Sequence, residues 1–289
     1  MKTKLLLTTF VSSFILHTSA FAQGSLTPPA GAPAPVMKSL DQVEARTAIT
    51  NTSSLVTISQ PGSYYFTGNL TVSTNNGINI TTNGVTLDLN GFTIRSTAAS
   101  LSGTAIALSG SLSDITILNG HIRGSVTNGS GGFGGGGFYT GIGYSGNQPG
   151  NVLVSRISVS RCQLGIYLDT GNSTLIESCT VRTVASSGIL ASTIKNCSAV
   201  DCGSDAIYGE QVSDCRGESS GFGNGIFAAT AQNSYGKSNT GTGLNADVAT
   251  GCRGISYSGT GLEAFIANSC HGTSLIGIDL TVTHSLNSF

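Results

Sequence analysis

Charge and tryptophan are both scarce in this chain of 289 residues. Charged residues make up 9% of it and tryptophan is absent, whereas about a quarter of an ordinary soluble domain is charged. The net charge of −1 at pH 7 gives no electrostatic attraction to nucleic acid or to an anionic membrane. After the N-terminal apolar run, no stretch of the sequence is long and apolar enough to span a bilayer.

Glycine is abundant instead, with 40 residues, and serine, threonine and asparagine accompany it. A polar composition with so little charge is also found in disordered, low-complexity chains. An apolar pattern nevertheless keeps a regular register through this one, and that register argues against disorder.

The N-terminus has the pattern of a secretory signal over residues 1–22. Lys2 and Lys4 precede an apolar run from Leu5 to Leu16, and Ala20-Phe21-Ala22 forms a small-residue cleavage site. We therefore expect Ala22 to be the last residue removed and the mature chain to be secreted or periplasmic. No cysteine follows the cleavage site, which argues against a lipoprotein.

Residues 23–47 form a predicted linker and cap. Four of the six prolines lie here, which favours an extended linker: Pro28, Pro29, Pro33 and Pro35. The sequence from Ser39 to Gln42 then has the form of a capping box and predicts a short helix to about Glu44. We expect this segment to cover the open first turn of the domain that follows, over residues 48–289.

An internal repeat organises residues 153–280. A slot occupied by cysteine or serine recurs with steps of 18, 18, 19, 18 and 18 residues: Cys179, Cys197, Cys215, Ser234, Cys252 and Cys270. A second slot, glycine or alanine followed by isoleucine or leucine, keeps the same period, as in Gly188-Ile189 and Gly225-Ile226. A fixed period of this length indicates a solenoid.

The repeat is too short for the paired helices of α-solenoids, and nothing in it shows a sustained helical period. Short alternating runs separated by Gly, Ser, Asn and Asp are typical of strands and corners. The prediction is an all-β fold: a single-stranded, right-handed parallel β-helix, a solenoid of roughly ten rungs with a short N-terminal capping segment. Equivalent residues then stack about 4.8 Å apart.

Two segments carry a family resemblance. They are Gly84-Val-Thr-Leu-Asp-Leu-Asn-Gly-Phe-Thr-Ile94 and Ile115-Thr-Ile-Leu-Asn-Gly-His-Ile-Arg123. With this strand and leucine-asparagine-glycine turn, the chain resembles the secreted right-handed β-helix proteins of the pectate-lyase-like superfamily over about residues 48–285. The resemblance implies the fold, and it makes a polysaccharide lyase or glycoside hydrolase the alternative to a non-enzymatic role.

The seven cysteines do not suggest a disulfide framework. Stacked identical positions have parallel Cβ vectors about 4.8 Å apart, whereas a disulfide needs converging Cβ atoms about 3.8 Å apart. Ser234 and Gly120, which share the slot, indicate that it requires a small residue. We expect an inward column of free thiols, with one or two strained bridges as the alternative. A metal site is not predicted, because no histidine shares the slot.

Catalytic motifs of the resembled family are absent. The polygalacturonase set, the Asp-Pro-His-Glu of alginate epimerases and the clustered calcium-binding acids of pectate lyases do not occur, and three arginines are expected at corners: Arg182, Arg216 and Arg253. Glu263 and Asp279 are weak catalytic candidates. Each follows an aliphatic slot residue, so they are expected on successive rungs, about the spacing of a retaining glycosidase. The sequence leaves catalysis open.

An outward stripe is the predicted ligand-binding surface. The residue after each second slot points outward by strand alternation. These residues are Tyr167, Leu190, Tyr208, Phe227 and Asn245, followed by Glu263 and Asp279. An apolar stripe on a polar coil is typical of a binding surface. The alternative is that the glycine-rich loop at residues 125–150 folds over the stripe and buries it.

Three functions are compatible with these features. The best supported is a secreted β-helix protein that binds a polysaccharide or a cell-surface component through Tyr167, Tyr208, Phe227 and Asn245. The others are a polysaccharide lyase or hydrolase with a degenerate site, and a structural surface protein. No cofactor and no nucleic-acid partner are predicted.

Overall fold

A computed structural model describes residues 45–50, 53–171 and 173–289, which belong to one compact unit. The predicted signal sequence, the linker and the helix near Glu44 lie outside the described residues. Within the described ranges the chain is all-β and has no helix.

The strands follow one another in chain order. The first fourteen are β1 Thr47–Ile49, β2 Val56–Ile58, β3 Gly62–Phe66, β4 Leu70–Val72, β5 Ile78–Ile80, β6 Val85–Asp88, β7 Thr93–Ser96, β8 Thr104–Ser109, β9 Ser113–Arg123, β10 Thr127–Gly129, β11 Gly132–Gly134, β12 Thr140–Ser145, β13 Gly150–Ser160 and β14 Leu164–Tyr167. The remaining thirteen are β15 Thr174–Glu177, β16 Thr180–Val184, β17 Ile189–Lys195, β18 Ser198–Cys202, β19 Ile207–Ser213, β20 Arg216–Ser219, β21 Ile226–Gln232, β22 Tyr235–Ser238, β23 Leu244–Thr250, β24 Arg253–Ser256, β25 Leu262–Asn268, β26 His271–Ser274 and β27 Leu280–Leu286.

All strands except the hairpin β10–β11 pair in parallel, each with its equivalent in the next turn, and form three faces of a solenoid. Sheet A runs through β1, β3, β6, β9, β13, β15, β17, β19, β21, β23, β25 and β27. Sheet B runs through β4, β7, β9, β13, β16, β18, β20, β22, β24 and β26. Sheet C runs through β2, β5, β8, β12, β14, β17, β19, β21, β23, β25 and β27. Long strands such as β9 and β17 bend at a corner and serve two sheets.

The predicted parallel β-helix is therefore confirmed, with about 12 turns rather than roughly ten. Tyr64 and Tyr65 lie in β3, which pairs with β1 on one side and with β6 on the other as an ordinary rung.

The corner between sheets A and B depends on residues with left-handed backbone. One residue per rung has φ between 47° and 63° there: Asn90, Asn119, Arg156, Ser178, Asn196, Asp214, Asn233, Gly251 and Ser269. Asparagine and aspartate tolerate this conformation better than other non-glycine residues. Side chains also bond from rung to rung, since Asn119 Nδ2 donates to Asp88 Oδ1 at 3.1 Å and Asn233 Nδ2 to Asp214 Oδ1 at 3.4 Å.

The cysteine column lies just inside this corner and consists of Cys179, Cys197, Cys215, Ser234, Cys252 and Cys270. All seven cysteines of the chain are free and buried, which confirms the inward thiols. The backbone N–H of Cys179 donates to Cys197 Sγ at 3.4 Å, and the N–H of Cys197 donates to Cys215 Sγ at 3.4 Å. The slot side chain thus accepts a backbone hydrogen bond from the preceding rung.

The expectation that the slot requires a small residue is wrong in one rung. Ile157 pairs with Gly120 in register and lies directly before Cys179 in the column, yet it is 1% exposed. Gly120 itself has no room for a side chain, because Leu89 of the rung before it occupies that space. A Cβ on Gly120 would come within 2.3 Å of Leu89 Cβ.

Candidate functional site

The aromatic stripe is a column on the outer face of sheet C, formed by Tyr167, Leu190, Tyr208 and Phe227. The strand register stacks these residues on successive rungs and continues to Asn245 and Glu263. The residue before each one points inward and is buried, as Ile207 and Ile226 show. The register follows the sequence prediction, whereas the ligand-binding role of these residues stays a prediction.

The rings of the stripe pack against one another along the coil. Tyr208 and Phe227 are stacked, with ring centroids 4.9 Å apart and planes 15° apart. Leu190 separates them from Tyr167 and is itself 9% exposed. Each stacked ring covers one face of its neighbour, so a flat ligand meets ring edges and the face of Phe227 that is turned toward Asn245.

Two clefts run along the stripe. The larger, about 300 Å³, is lined by Tyr167, Asp169, Thr170, Ser187, Leu190, Asp205 and Tyr208. The second, about 140 Å³, shares Thr170 and Tyr208 and continues past Phe227, with Glu210, Asn245 and Asp247 in its lining. Carboxylates therefore flank the apolar stripe on both sides.

Tyr144 closes the N-terminal end of the stripe. Its ring stacks on Tyr167 with centroids 6.3 Å apart, and its hydroxyl donates to Asp169 Oδ2 at 2.9 Å. Burial, together with this carboxylate, raises the pKa of Tyr144 to about 12. Burial also acts to raise the pKa of Asp169, but hydrogen bonds from Gln148, the Thr170 amide and Tyr144 outweigh it and hold that pKa below its ordinary value.

The glycine-rich insertion does not cover the stripe. Its hairpin, β10 and β11, reaches the C-terminal end of β18 in sheet B, where Asn128 Nδ2 donates to Asp201 Oδ1 at 2.7 Å. Phe133 of the hairpin lies over Gly203 at the same place. Among residues 125–150, Tyr144 and Gln148 contact the end of the stripe at Tyr167 and Asp169. The loop-covered alternative therefore has no support along Tyr208 and Phe227.

The two candidate catalytic acids are not neighbours in register. Leu262 pairs with Leu280, so the rung neighbour of Glu263 is Thr281 rather than Asp279. Glu263 accepts a hydrogen bond from Asn245 Nδ2 at 3.2 Å, whereas Asp279 Oδ1 accepts the backbone N–H of Ser274 at 2.6 Å. The expected adjacency of Glu263 and Asp279 is wrong, and with it goes the geometric reason for a glycosidase pair.

No group of three or more His, Cys, Asp or Glu side chains converges as a metal site within the part of the chain that the structure describes. Among the same residues, no helix is long and apolar enough to cross a membrane.

Sequence reasoning missed Tyr144 and Gln148, because both lie in the insertion that interrupts the repeat. The hydrogen bond of Tyr144 to Asp169 spans 25 positions, a separation that no period in the sequence indicates. The sequence contained one signal for Tyr144: in β12, Thr140, Ile142 and Tyr144 alternate with glycine, which is the spacing of a strand.

Comparisons with known proteins give one structural match to consider. The Dettilon tailspike protein (gp208) aligns with a TM-score of 0.42 and 10% identity over 78% of this chain and 54% of that chain. This chain thus spans about half the length of the tailspike chain. No family model and no curated protein matches the sequence.

Proposed function

We propose that this chain is an exported β-helix protein that binds a glycan or a glycan-bearing surface along the aromatic stripe. The observation that carries the proposal is the register of Tyr167, Tyr208 and Phe227, which presents apolar rings beside two clefts on one face. Export rests on the signal-like pattern of residues 1–22 and is part of the proposal.

The residues around the stripe favour a neutral sugar. Aromatic rings contact the apolar C–H surface of a sugar, while carboxylates such as Asp205 and Glu210 can accept hydrogen bonds from its hydroxyl groups. Between their first residues and the corner with sheet A, the described strands of sheet C contain no lysine or arginine; Lys195 lies in the part of β17 that pairs in sheet A. A ligand with many negative charges would therefore be repelled from this face.

The enzymatic alternative has lost its supporting pair, since Glu263 and Asp279 are not adjacent. It makes a separate prediction, namely that a polysaccharide is shortened on incubation with the protein. Product release should therefore be measured in the same samples as binding.

The decisive experiment replaces Tyr167, Tyr208 and Phe227 together by serine and measures binding of the whole protein to a panel of neutral polysaccharides. We expect at least about a tenfold loss of affinity, because each aromatic contact of a ligand with these ring edges or with the open face of Phe227 contributes about 0.5–1.5 kcal/mol. The matched control is the double variant Phe222→Ser and Tyr257→Ser, which removes exposed rings, 88% and 57% exposed, outside the stripe.

Phe227→Leu separates binding from stability, because leucine keeps the side chain apolar and removes only the ring. Weaker binding by Phe227→Leu at an unchanged melting temperature supports the proposal. A large drop in melting temperature for the triple variant, with no neutral glycan bound by the wild type, shows that the stripe serves packing and contradicts the proposed function.

A further inference from the structure

Sheets B and C carry opposite charges. Between their first residues and the corner with sheet A, the described strands of sheet C contain three acidic residues, Glu210, Asp247 and Glu263, and no basic one; Lys195 and His284 lie in the parts of β17 and β27 that pair in sheet A. The parts of the first five rungs that pair in sheet B are β4, β7, residues 120–123 of β9, residues 157–160 of β13, and β16. They contain Arg95, Arg123 and Arg182 and no acidic residue. The small net charge of the chain therefore hides a separation of charge between faces.

The arginine face consists of Arg95, Arg123, Arg161 and Arg182. Arg95 pairs with Arg123 in register, Ser160 follows on the next rung, and Arg182 follows Ser160. All four arginines are exposed. At about 4.8 Å per rung, the side chains of Arg95 and Arg123 start about 4.8 Å apart, and that of Arg182 starts about 9.6 Å beyond Arg123. Sequence analysis placed Arg182 at a corner, but it lies within β16.

Nothing in the described residues neutralises these arginines. None of the four side chains has an ion pair or a hydrogen bond to a described residue, whereas Arg216 on the same sheet is paired with Glu218. Asp201 lies on the next rung, but its carboxylate accepts hydrogen bonds from Thr183 and Asn128. Like charges stacked in register destabilise a sheet, so a bound anion would relieve the repulsion between Arg95 and Arg123.

The surface around the arginines is polar and concave. A groove of about 440 Å³ is lined by Asn69, Thr71, Thr93, Arg95 and Arg123. Guanidinium groups bind carboxylates with two parallel hydrogen bonds, and the flanking hydroxyl groups can bond to neighbouring sugar hydroxyls. We propose that the arginine face binds an acidic polysaccharide through its carboxylate groups.

The described strand segments of the arginine face lack aromatic residues, which favours a polysaccharide over a nucleic acid as its ligand. Single-stranded nucleic acid binds through bases stacked on aromatic rings, and the described strand segments of these five rungs contain no Phe, Tyr or Trp. Serine and threonine occupy most of the outward positions beside the arginines, for example Thr93, Ser158 and Thr180. The face is separate from the aromatic stripe, so this binding does not depend on the proposed function.

The test compares two triple variants of the full chain that lose the same charge. One replaces Arg95, Arg123 and Arg182 by glutamine; the control replaces Arg216, Lys237 and Arg253, further along sheet B, by glutamine. Binding to polygalacturonate, dextran sulfate, neutral dextran and single-stranded poly(dT) is measured at low salt and again with added salt. We expect the wild type to bind polygalacturonate, and added salt to weaken that binding.

The first variant should lose about tenfold or more in affinity for polygalacturonate, since each charge-assisted hydrogen bond contributes substantially, and the control less than about threefold. Unchanged melting temperatures confirm that the exposed substitutions leave the fold intact. The variant of Tyr167, Tyr208 and Phe227 should keep polygalacturonate binding. The proposal is overturned if the wild type binds no acidic polysaccharide, if both triple variants lose equally, or if poly(dT) or dextran sulfate binds more tightly than polygalacturonate.

Discussion

Replacing Cys197 by serine and, separately, by alanine tests why the cysteine column is buried. If the slot only excludes large residues, alanine should be tolerated and serine should be costly, because it buries a hydroxyl. If the slot side chain serves as a hydrogen-bond acceptor, the order reverses. The structure favours the second reading, since Cys197 Sγ accepts the N–H of Cys179 at 3.4 Å.

Ser234 shows what a serine does in this slot. Its Oγ accepts the N–H of Cys215 at 3.2 Å and donates to the carbonyl of Gln232 at 2.7 Å. Cys197→Ser should reproduce both bonds and change the free energy of unfolding by less than about 0.5 kcal/mol. Cys197→Ala leaves the Cys179 amide buried without its acceptor, which costs about 1–3 kcal/mol.

The assay is thermal unfolding, supported by exchange of the Cys179 amide hydrogen. A cost of 1 kcal/mol lowers the melting temperature by about 2–4 °C in a chain of this size. Solenoids can unfold in parts, so the exchange rate at Cys179 gives a local reading that does not assume a single transition. It should rise in Cys197→Ala and stay near the wild-type value in Cys197→Ser.

Cys202 provides the matched control outside the column. It is buried, and its Sγ has no hydrogen bond to a described residue; Ser219, its rung neighbour, has a buried Oγ that likewise lacks a described partner. At this position serine should cost more than alanine, because the hydroxyl is buried unpaired. Finding serine worse than alanine at both positions would refute the acceptor role of the column.

Two further predictions concern titration and reactivity. All seven thiols are buried, so in the native state they should react slowly with a thiol reagent at pH 8, and most slowly Cys162, because burial raises its pKa to about 12. At least four of the five column cysteines should react after denaturation without reductant; recovery of two or more inter-rung disulfides by mass spectrometry contradicts this. The raised pKa of Tyr144 means that the fold favours its neutral form, so its contribution to stability is present below about pH 10 and declines as the pH rises toward 12. Tyr144→Phe should remove the most alkaline step from the absorbance titration of the tyrosines; a titration curve that keeps this step would contradict the assignment.

The sequence predicted the parts of the coil where the rung length is constant. The pairing of Tyr208 with Phe227 was predicted correctly because both repeat slots, the cysteine slot and the glycine-isoleucine slot, advance by 19 residues between these two rungs. Glu263 and Asp279 were misaligned by two residues because Gly277-Ile278 resembles the slot pair Gly261-Leu262. The backbone hydrogen bond from Leu262 N–H to the Asp279 carbonyl fixes the true register, and no side-chain pattern reports it.

Other features escaped prediction because they join rungs of unequal length. Arg95 and Arg123 are 28 positions apart, and Arg182 follows Arg123 by 59, so no period connects them. Ile157 was overlooked in the cysteine column because it precedes the regular repeats. Contacts of this kind depend on the three-dimensional register of irregular turns, which the spacing of slots does not determine.

The constant step has a consequence for how such a chain can change over generations. From β17 onward, the strands that form sheets A and C pair with residues 18 or 19 positions further along the chain. Duplication or loss of one such segment by unequal recombination would place each remaining strand against an equivalent partner, and the interior would keep its cross-section. The gene can therefore lengthen or shorten this protein by whole turns, while a gain or loss of one or two residues within a turn would shift the register of the strand that follows.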